Sequence, residues 1–456
     1  MRPYGRAIPR GERYRTAARR GRRALRTPAN MRAGMETRPY EHPVFVGANS
    51  VRPRAPFVRP YGGGELNHPR LRAHPLCERG QGLERRGMRR ADCHPPLREE
   101  FYMTVVVTDC QYRMSAAAVR ELGESGHDVV CVSLAGQTPI GAFSKHCKKS
   151  VILGKDGYVQ ALGDVISKLS DRPVLFPAGA FTVNALCRES LADVCDYIIP
   201  SPEALKNAND KAAAAAAAVR AGVPVPETLN IEKYPAVVKY RDGEGLGLKA
   251  AQRYKIVNSK AELDAAAAEM AHSPVIVSEY IEGAGWGAGV VMDRNFEPAA
   301  AFCHMRRREY PVSGGPSTCC VSVYNERMIN DAVRVLKELR FTGIAMVEFK
   351  GFSGDYRMLE INPRVWGSFP LARLSGAGLA EAYVRAARGL PVSPLKYAEG
   401  VKARFLIQDT MAAAGYLKRG DLPAVGGYLK DLFDFRVKGG LFERGDAMPA
   451  VRYLFR

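Results

Sequence analysis

The spacing of hydrophobic positions changes twice along the chain. Within residues 1–102 no helical periodicity organises the many arginines, and disorder is expected there. From Thr104 onward, short apolar runs alternate with amphipathic segments. The runs Val105–Val107, Val129–Ser133, Val151–Leu153, Val174–Pro177 and Tyr197–Ile199 read as strands. Ser115–Gly123, Tyr158–Leu169 and Thr182–Leu191 read as helices between them. Such strand–helix–strand repeats predict an α/β unit built on a doubly wound parallel sheet. The turn after Val107, T-D-C-Q-Y-R, lacks the glycines of a dinucleotide-binding fingerprint. That argues against a nicotinamide or flavin site and leaves this unit to help hold a substrate.

Beyond residue 200 the pattern becomes mixed. Ser201–Asn209 reads as a connector, and Asn209 or Asp210 caps a helix from Lys211 to Arg220 that Gly222 and Pro224 stop. Val237–Lys239 and Leu248–Ala250 predict a hairpin around a glycine-rich turn. A helix over Ser259–Met270 and a strand over Val275–Tyr280 follow. Gly283–Gly289 then leads to strands at Val290–Asp293 and Ala299–Arg308, and to a helix over Asn325–Leu339. Helices and hairpins in this order predict antiparallel sheets in an α+β arrangement. After about residue 396 little chemistry is legible.

The segment Val347–Arg364 carries the most information. V-E-F-K and L-E-I-N-P-R flank Gly351, Ser353, Gly354 and Asp355, which predicts a β-hairpin. Alternation puts Glu360 and Asn362 on one face. With the turn near Ser353 or Gly354, Glu348 lies opposite Met358 or Glu360, and an even register places it on that face too. Two carboxylates and an amide oxygen would form a hard, all-oxygen cluster suited to Mg²⁺. Upstream, Lys211 opens a helix, a natural place for an anion. Lys239 precedes R-D-G-E-G-L-G, whose backbone at Gly243 and Gly245 could cover phosphates. In V-I-V-S-E-Y-I-E-G, the backbone from Glu279 through Tyr280 to Ile281 could read an adenine edge, and Glu282 could reach a ribose hydroxyl.

Charge alters the picture only at the start of the chain. The 456 residues carry a formal charge of +20, but residues 1–102 hold 23 arginines, no lysine and nine acids. The remainder is unremarkable for an enzyme. The leader could bind nucleic acid through phosphates, yet aromatic residues for stacking are sparse. It fits an organellar presequence poorly, and a misassigned start is the favoured expectation, with Met103 just ahead of the first strand. Ten cysteines are scattered without a C-x-x-C pair. Together with the lack of a long apolar run, this points to a cytoplasmic protein. Cys303 and Cys319 as nucleophiles lack a nameable histidine partner.

Taken together, the motifs resemble the ATP-grasp superfamily, in its carboxylate–amine ligase-like branch. The matching pieces are N-D-K at Asn209–Lys211, A-V-V-K at Ala236–Lys239, S-E-Y-I-E-G at Ser278–Gly283, V-E-F at Val347–Phe349 and L-E-I-N-P-R at Leu359–Arg364. The resemblance implies a leader (1–102), an N-terminal α/β domain (103–205), a two-lobed ATP-grasp module with its small lid (206–285) and metal-binding domain (286–395), and an extension (396–456). It also implies that Lys211 and Lys239 hold phosphates, that Glu279–Ile281 holds adenine, and that Glu348, Glu360 and Asn362 hold Mg²⁺, with Mn²⁺ as a substitute. Trp286 stands near the place where a second acidic ribose contact is usual. H-M-R-R-R-E-Y-P-V-S-G-G-P-S from His304 is similar to a loop of that branch. Alternation places His304, Arg306 and Arg308 on one face, and guanidinium forks suit carboxylate and acyl phosphate. Arg306, Arg308 and Arg364 are therefore the candidates for the reacting group.

The implied activity is an ADP-forming ligase that joins a small carboxylic acid to an amine through an acyl phosphate. The expected partners are small molecules, with no membrane, nucleic acid unlikely on these features, and a homodimer by family habit. Rival readings are an enzyme making carboxy or carbamoyl phosphate from bicarbonate, a nucleic-acid binder using the leader, and a nucleotide binder without catalysis.

Overall fold

The computed structural model describes residues 102–228, 233–243, 245–248, 252–393 and 396–455. By its internal contacts the chain divides into Met1–Ala91 and Asp92–Arg456, and every described residue belongs to the second unit. The leader expected over 1–102 thus lies, but for Tyr102, outside the described residues.

Four parallel strands open this unit: β1 (Thr104–Val107), β2 (Asp128–Leu134), β3 (Cys147–Leu153) and β4 (Val174–Phe176), in the order β3-β2-β1-β4. Helices α1 (Arg113–Glu124), α2 (Tyr158–Ile166) and α3 (Ala180–Leu186) connect or follow them. Alternate residues of β1 enter different cores. Val105 and Val107 pack with Ala118 and Leu122 of α1, whereas Val106 packs with Leu162 and Ile166 of α2. Both faces of the sheet are therefore covered. Tyr197–Ile199, expected as a fifth strand, does not form one. Asp196 makes an isolated bridge to Val174, and the Tyr383 hydroxyl accepts from the Ile198 N–H and donates to its carbonyl.

The expected connector after residue 200 is instead helix α4 (Pro202–Asn209). Ser201 caps it, accepting from the Ala204 N–H, and proline occupies its first turn. Helix α5 (Lys211–Arg220) follows at once, and the Asp210 carboxylate accepts from the N–H groups of Ala212 and Ala213. The same carboxylate holds Arg241, and the Arg241 carbonyl accepts from the Lys211 N–H. These bonds tie the start of α5 to a small three-stranded antiparallel sheet of β5 (Ala236–Tyr240), β6 (Tyr254–Val257) and β7 (Val275–Glu279), ordered β6-β5-β7. Helix α6 (Lys260–Glu269) packs against it. The hairpin partner of β5 is β6 rather than Leu248–Ala250, of which Lys249 and Ala250 lie outside the described residues.

The large sheet is ordered β12-β11-β8-β9-β10-β13-β14, from β8 (Ala284–Met292), β9 (Pro298–Glu309), β10 (Ser317–Val323), β11 (Gly343–Gly351), β12 (Tyr356–Asn362), β13 (Lys402–Arg404) and β14 (Lys438–Gly439). Helix α7 (Glu326–Glu338) joins β10 to β11, with Asn325 as its cap. Helices α8 (Phe369–Leu374) and α9 (Leu379–Ala387) follow β12 and share a core with β1 and α1. The small alanines 214, 217 and 218 let α5 lie close against the other face, over Val347, Phe349 and Met358. That arrangement commits the odd positions of β11 to the core and turns Met346 and Glu348 the other way.

The C-terminal extension forms α10 (Leu406–Lys418), α11 (Leu422–Phe433) and α12 (Met448–Leu454). Arg308 of β9 fastens it to the sheet. Its Nε and Nη2 donate to the two oxygens of Asp409 at 2.8 and 2.9 Å, and its Nη1 to Asp431 at 2.9 Å. The three side chains are at most 2% exposed. Lys402 completes the network on Asp431 at 2.8 Å. Removing one partner of such a buried group leaves an uncompensated charge, at a cost of about 3–5 kcal/mol. Asp409→Ala should therefore lower unfolding stability by about that amount in urea titrations followed by circular dichroism. An unchanged midpoint would show that Asp431 alone balances the guanidinium.

Candidate active site

A cleft of about 540 Å³ lies between the small sheet, the large sheet and the loops of the N-terminal strands. That size suits a nucleotide or a drug-sized ligand. Its floor is the β11–β12 hairpin. Glu348 pairs directly with Glu360, and Met346 with Asn362. A bulge at Leu359 makes this possible, because Phe349 pairs with Met358, so Met358 stays in the core while Glu360 turns to the cleft.

Cations surround the two carboxylates. Arg306 Nη2 is 2.5 Å from Glu348, and Lys211 Nζ is 3.1 Å from Glu360. Lys239 Nζ donates to the Leu359 carbonyl at 3.4 Å. Burial works against the charge of Glu360, yet Lys211 and Lys239 hold its carboxyl down at about 2. Burial raises the Glu348 carboxyl, with Glu360 adding to the effect and Arg306 opposing it. Burial likewise lowers Lys239 to about 8, reinforced by Lys211 and resisted by both glutamates. Burial also opposes the Lys211 charge, but Glu360 overrides it and raises that group.

The donor set fits Mg²⁺. It offers hard oxygens from two facing carboxylates and one amide, and no group of three His, Cys, Asp or Glu side chains suited to a metal occurs among the described residues. So small a protein set matches a cation that completes its shell with water and phosphate. Three flanking cationic side chains would meet the phosphates themselves.

Other expected residues fall differently. Arg364, Glu279, Tyr280 and Ile281 line the cleft. The N–H groups of Glu279 and Tyr280 are taken by the carbonyls of Glu227 and Pro235, so Ile281 is the amide left to consider for a base edge. Glu282, Gly243 and Gly245 are not among the lining residues, and the Gly245 N–H is bound to the Asp242 carboxylate at 2.7 Å. Trp286 is core, its indole donating to the Gly351 carbonyl. Cys303 and Cys319 are fully buried and their thiols are pushed up to about 12 by burial, which disfavours the nucleophile role.

Arg308 corrects the alternation argument. Opposite β9, the adjacent residues Cys319 and Cys320 pair with Arg308 and Arg306 respectively. Neighbours on a strand face opposite ways and cross-strand partners face the same way. The bulge at Arg307 therefore sends Arg306 into the cleft and Arg308 to the acidic anchor on α10 and α11.

Sequence reasoning missed several lining residues. Tyr112 and Arg113 at the start of α1 and Phe181 in the first turn of α3 follow β1 and β4, where the strand order reverses and α/β proteins commonly bind ligands. Ser368 sits four residues past Arg364, in V-W-G-S, adjacent to the recognised motif. Tyr254 of the small sheet reaches across to the β9–β10 loop, where its hydroxyl is 3.0 Å from that of Ser313.

Comparison with known proteins agrees with this layout. Residues 271–407 match the family described as ATP-grasp in the biosynthetic pathway with Ter operon. Biotin carboxylase 1 of Bacillus subtilis is 25% identical over 315 residues, 60% of this chain and 68% of that protein. An acetyl-CoA carboxylase of Dictyostelium discoideum matches over only 7% of its own length, at 25% identity. Among solved structures, the biotin carboxylase domain dimer of Hydrogenobacter thermophilus 2-oxoglutarate carboxylase, in complex with MgADP, ADP and bicarbonate, superposes with a TM-score of 0.50. It is 16% identical, over 65% of this chain and 71% of that one. An ADP complex of N5-carboxyaminoimidazole ribonucleotide synthetase gives 0.51 at 16% identity, over 66% and 80%. The structures share the fold. The family match over residues 271–407 agrees with that fold and with the motifs, which resemble the ATP-grasp superfamily.

Because Lys239 titrates near 8, it should lose its charge as pH rises through that value. ATP affinity, measured by calorimetry between pH 7 and 9.5, should fall above pH 8 by up to about tenfold per pH unit. Lys239→Met should remove the slope. A flat profile in the wild type would exclude Lys239 from anion binding.

Proposed function

We propose that the chain is an ATP- and Mg²⁺-dependent, ADP-forming ligase that activates a small carboxylic acid as its acyl phosphate and joins it to an amine. The observation that carries this reading is the Glu348–Glu360 pair, facing in register and ringed by Lys211, Lys239 and Arg306. In this reading Lys211 and Lys239 hold the nucleotide phosphates, and the strand exit at Glu279–Ile281 receives the base. Glu348, Glu360 and Asn362 hold Mg²⁺, which when bound supplies the charge that links carboxylates to phosphates. The substrate carboxylate attacks the γ-phosphorus in line, and the lysines stabilise the charge spread over the transferring group. Arg364 and Arg306 are the forks available to the carboxylate and then to the acyl phosphate. An amine attacks the acyl carbon and phosphate leaves. The small sheet acts as the lid over residues 206–285, and its Tyr254–Ser313 contact helps keep water from the intermediate.

A second reading is favoured by two of the relatives, the biotin carboxylase of Bacillus subtilis and the biotin carboxylase domain in complex with bicarbonate. Here bicarbonate would be the acid and carboxyphosphate the intermediate. Both readings use the same nucleotide site and differ in the acid. Phosphate release from ATP and Mg²⁺ separates them, measured with pools of carboxylic acids plus amines and, separately, with bicarbonate plus amines. Release that requires an organic acid supports the first reading, and release with bicarbonate alone supports the second. Glu360→Gln should abolish acid-dependent release while leaving the circular dichroism spectrum unchanged, and chelation of Mg²⁺ should do the same. Retained turnover in the variant would remove the metal assignment.

A further inference from the structure

Behind the Glu348–Arg306 contact lies a second polar pair that the proposed function does not use. Ser368 lines the cleft beside Arg364, and its Oγ is 2.8 Å from Nε2 of His304. His304 stands two residues before Arg306 on β9 and is fully buried, stacked against Phe302. It pairs with Gly287 of β8, where any β-carbon would collide with the imidazole. Its Nδ1 is buried without a hydrogen-bond partner, while the Gly287 backbone favours a proton on the ring. Burial, with Arg306 beside it, pushes the imidazole down to about 3, so the ring is neutral throughout the physiological range.

Ser368 also gives up a local preference to make this bond. It occupies the cap position of α8, where serine is among the best residues, yet its side chain caps nothing. A neutral imidazole protonated on Nδ1 accepts at Nε2. The serine proton then points inward and the oxygen lone pairs point into the cleft.

We propose that Ser368 is the acceptor for an N–H of the attacking nucleophile, with His304 as the positioning residue that fixes the hydroxyl as acceptor-only toward the cleft. This rests on the acyl phosphate reading and names the nucleophile class. An amine offers the N–H that such an oxygen needs, whereas an attacking thiolate offers no donor and meets lone pairs. No proton moves to Ser368. The amine nitrogen bonds to the acyl carbon, the C–O bond to phosphate breaks, and the departing phosphate takes up the proton that the nitrogen sheds, leaving as the hydrogen phosphate dianion.

The test has two parts. In histidine-¹⁵N-labelled full-length protein, His304 should give the neutral Nδ1–H tautomer from pH 6 to 8, and an Nε2–H tautomer or a titration in that range would overturn the proposal. In turnover, an equimolar pool of the twenty standard amino acids serves as acids and amines, with bridge-¹⁸O ATP and Mg²⁺. Ser368→Ala should keep positional isotope exchange, which reports acyl phosphate formation, at the wild-type rate. Its amide yield should fall about 10- to 100-fold through the KM for amine, the worth of one such hydrogen bond, and Ser368→Thr should restore most of it. Equal loss of exchange and amide, or no loss of amide, would overturn the proposal. Absence of exchange in the wild type would strike the activation reading itself, and with it this assignment.

Discussion

Two glutamates held opposite each other across one hairpin are the constraint from which the rest of this site follows. Adjacent half-buried carboxylates repel, and nearby positive charge favours their ionised forms. Arg306 arrives from β9 and Lys211 from the start of α5, each bound to one glutamate, while Lys239 comes from the small sheet. Three separate parts of the unit thus converge because the hairpin demands cations. On the proposed function, Mg²⁺ and a polyphosphate would replace these internal ion pairs with little net change in local charge.

The geometry depends on what β8 leaves out. Gly285, Gly287 and Gly289 lie on one face of that strand, with Gly287 and Gly289 opposite His304 and Phe302 in register. Side chains at these three positions would collide with Arg306, His304 and Trp366 respectively. The glycines form a bare track on which the site's larger side chains rest. In sequence, G-A-G-W-G-A-G looks like a turn, because glycine in strands is disfavoured on propensity alone. Here a close approach to neighbouring side chains outweighs that propensity, and the strand extends back to Ala284.

The same contrast separates what was legible from what was not. The β11–β12 hairpin, with V-E-F and L-E-I-N-P-R at its arms, was readable because period-two alternation and a short polar turn are local signals. The start of α5, expected at a cap on Asn209 or Asp210, was readable for similar reasons, as was the helix expected over Asn325–Leu339. Helix α4 should have been, since Ser-Pro-Glu is a start signal, but its short length hid it among the connectors. Ser368 and the loops after β1 and β4 were not legible, because their approach to the cleft is set by tertiary packing. Residues 229–232 and 249–251, on which part of the glycine-rich segment borders, lie outside the described residues.

Arg306 and Arg308 show how little sequence is needed to change a residue's role. Both belong to one R-R-R run, and a regular strand would present both to the same side. One extra residue at Arg307 breaks the alternation, so one guanidinium serves the cleft and the other is sealed beneath the C-terminal helices. The bulge is therefore the point at which the active-site wall and the extension are joined. Asp409 and Asp431 pull on the same strand that carries Arg306 and His304, and a shift of β9 toward them would move both side chains relative to Glu348 and Ser368. The extension holds no lining residue of the cleft, yet it sets the position of the strand that supplies two of the site's polar groups.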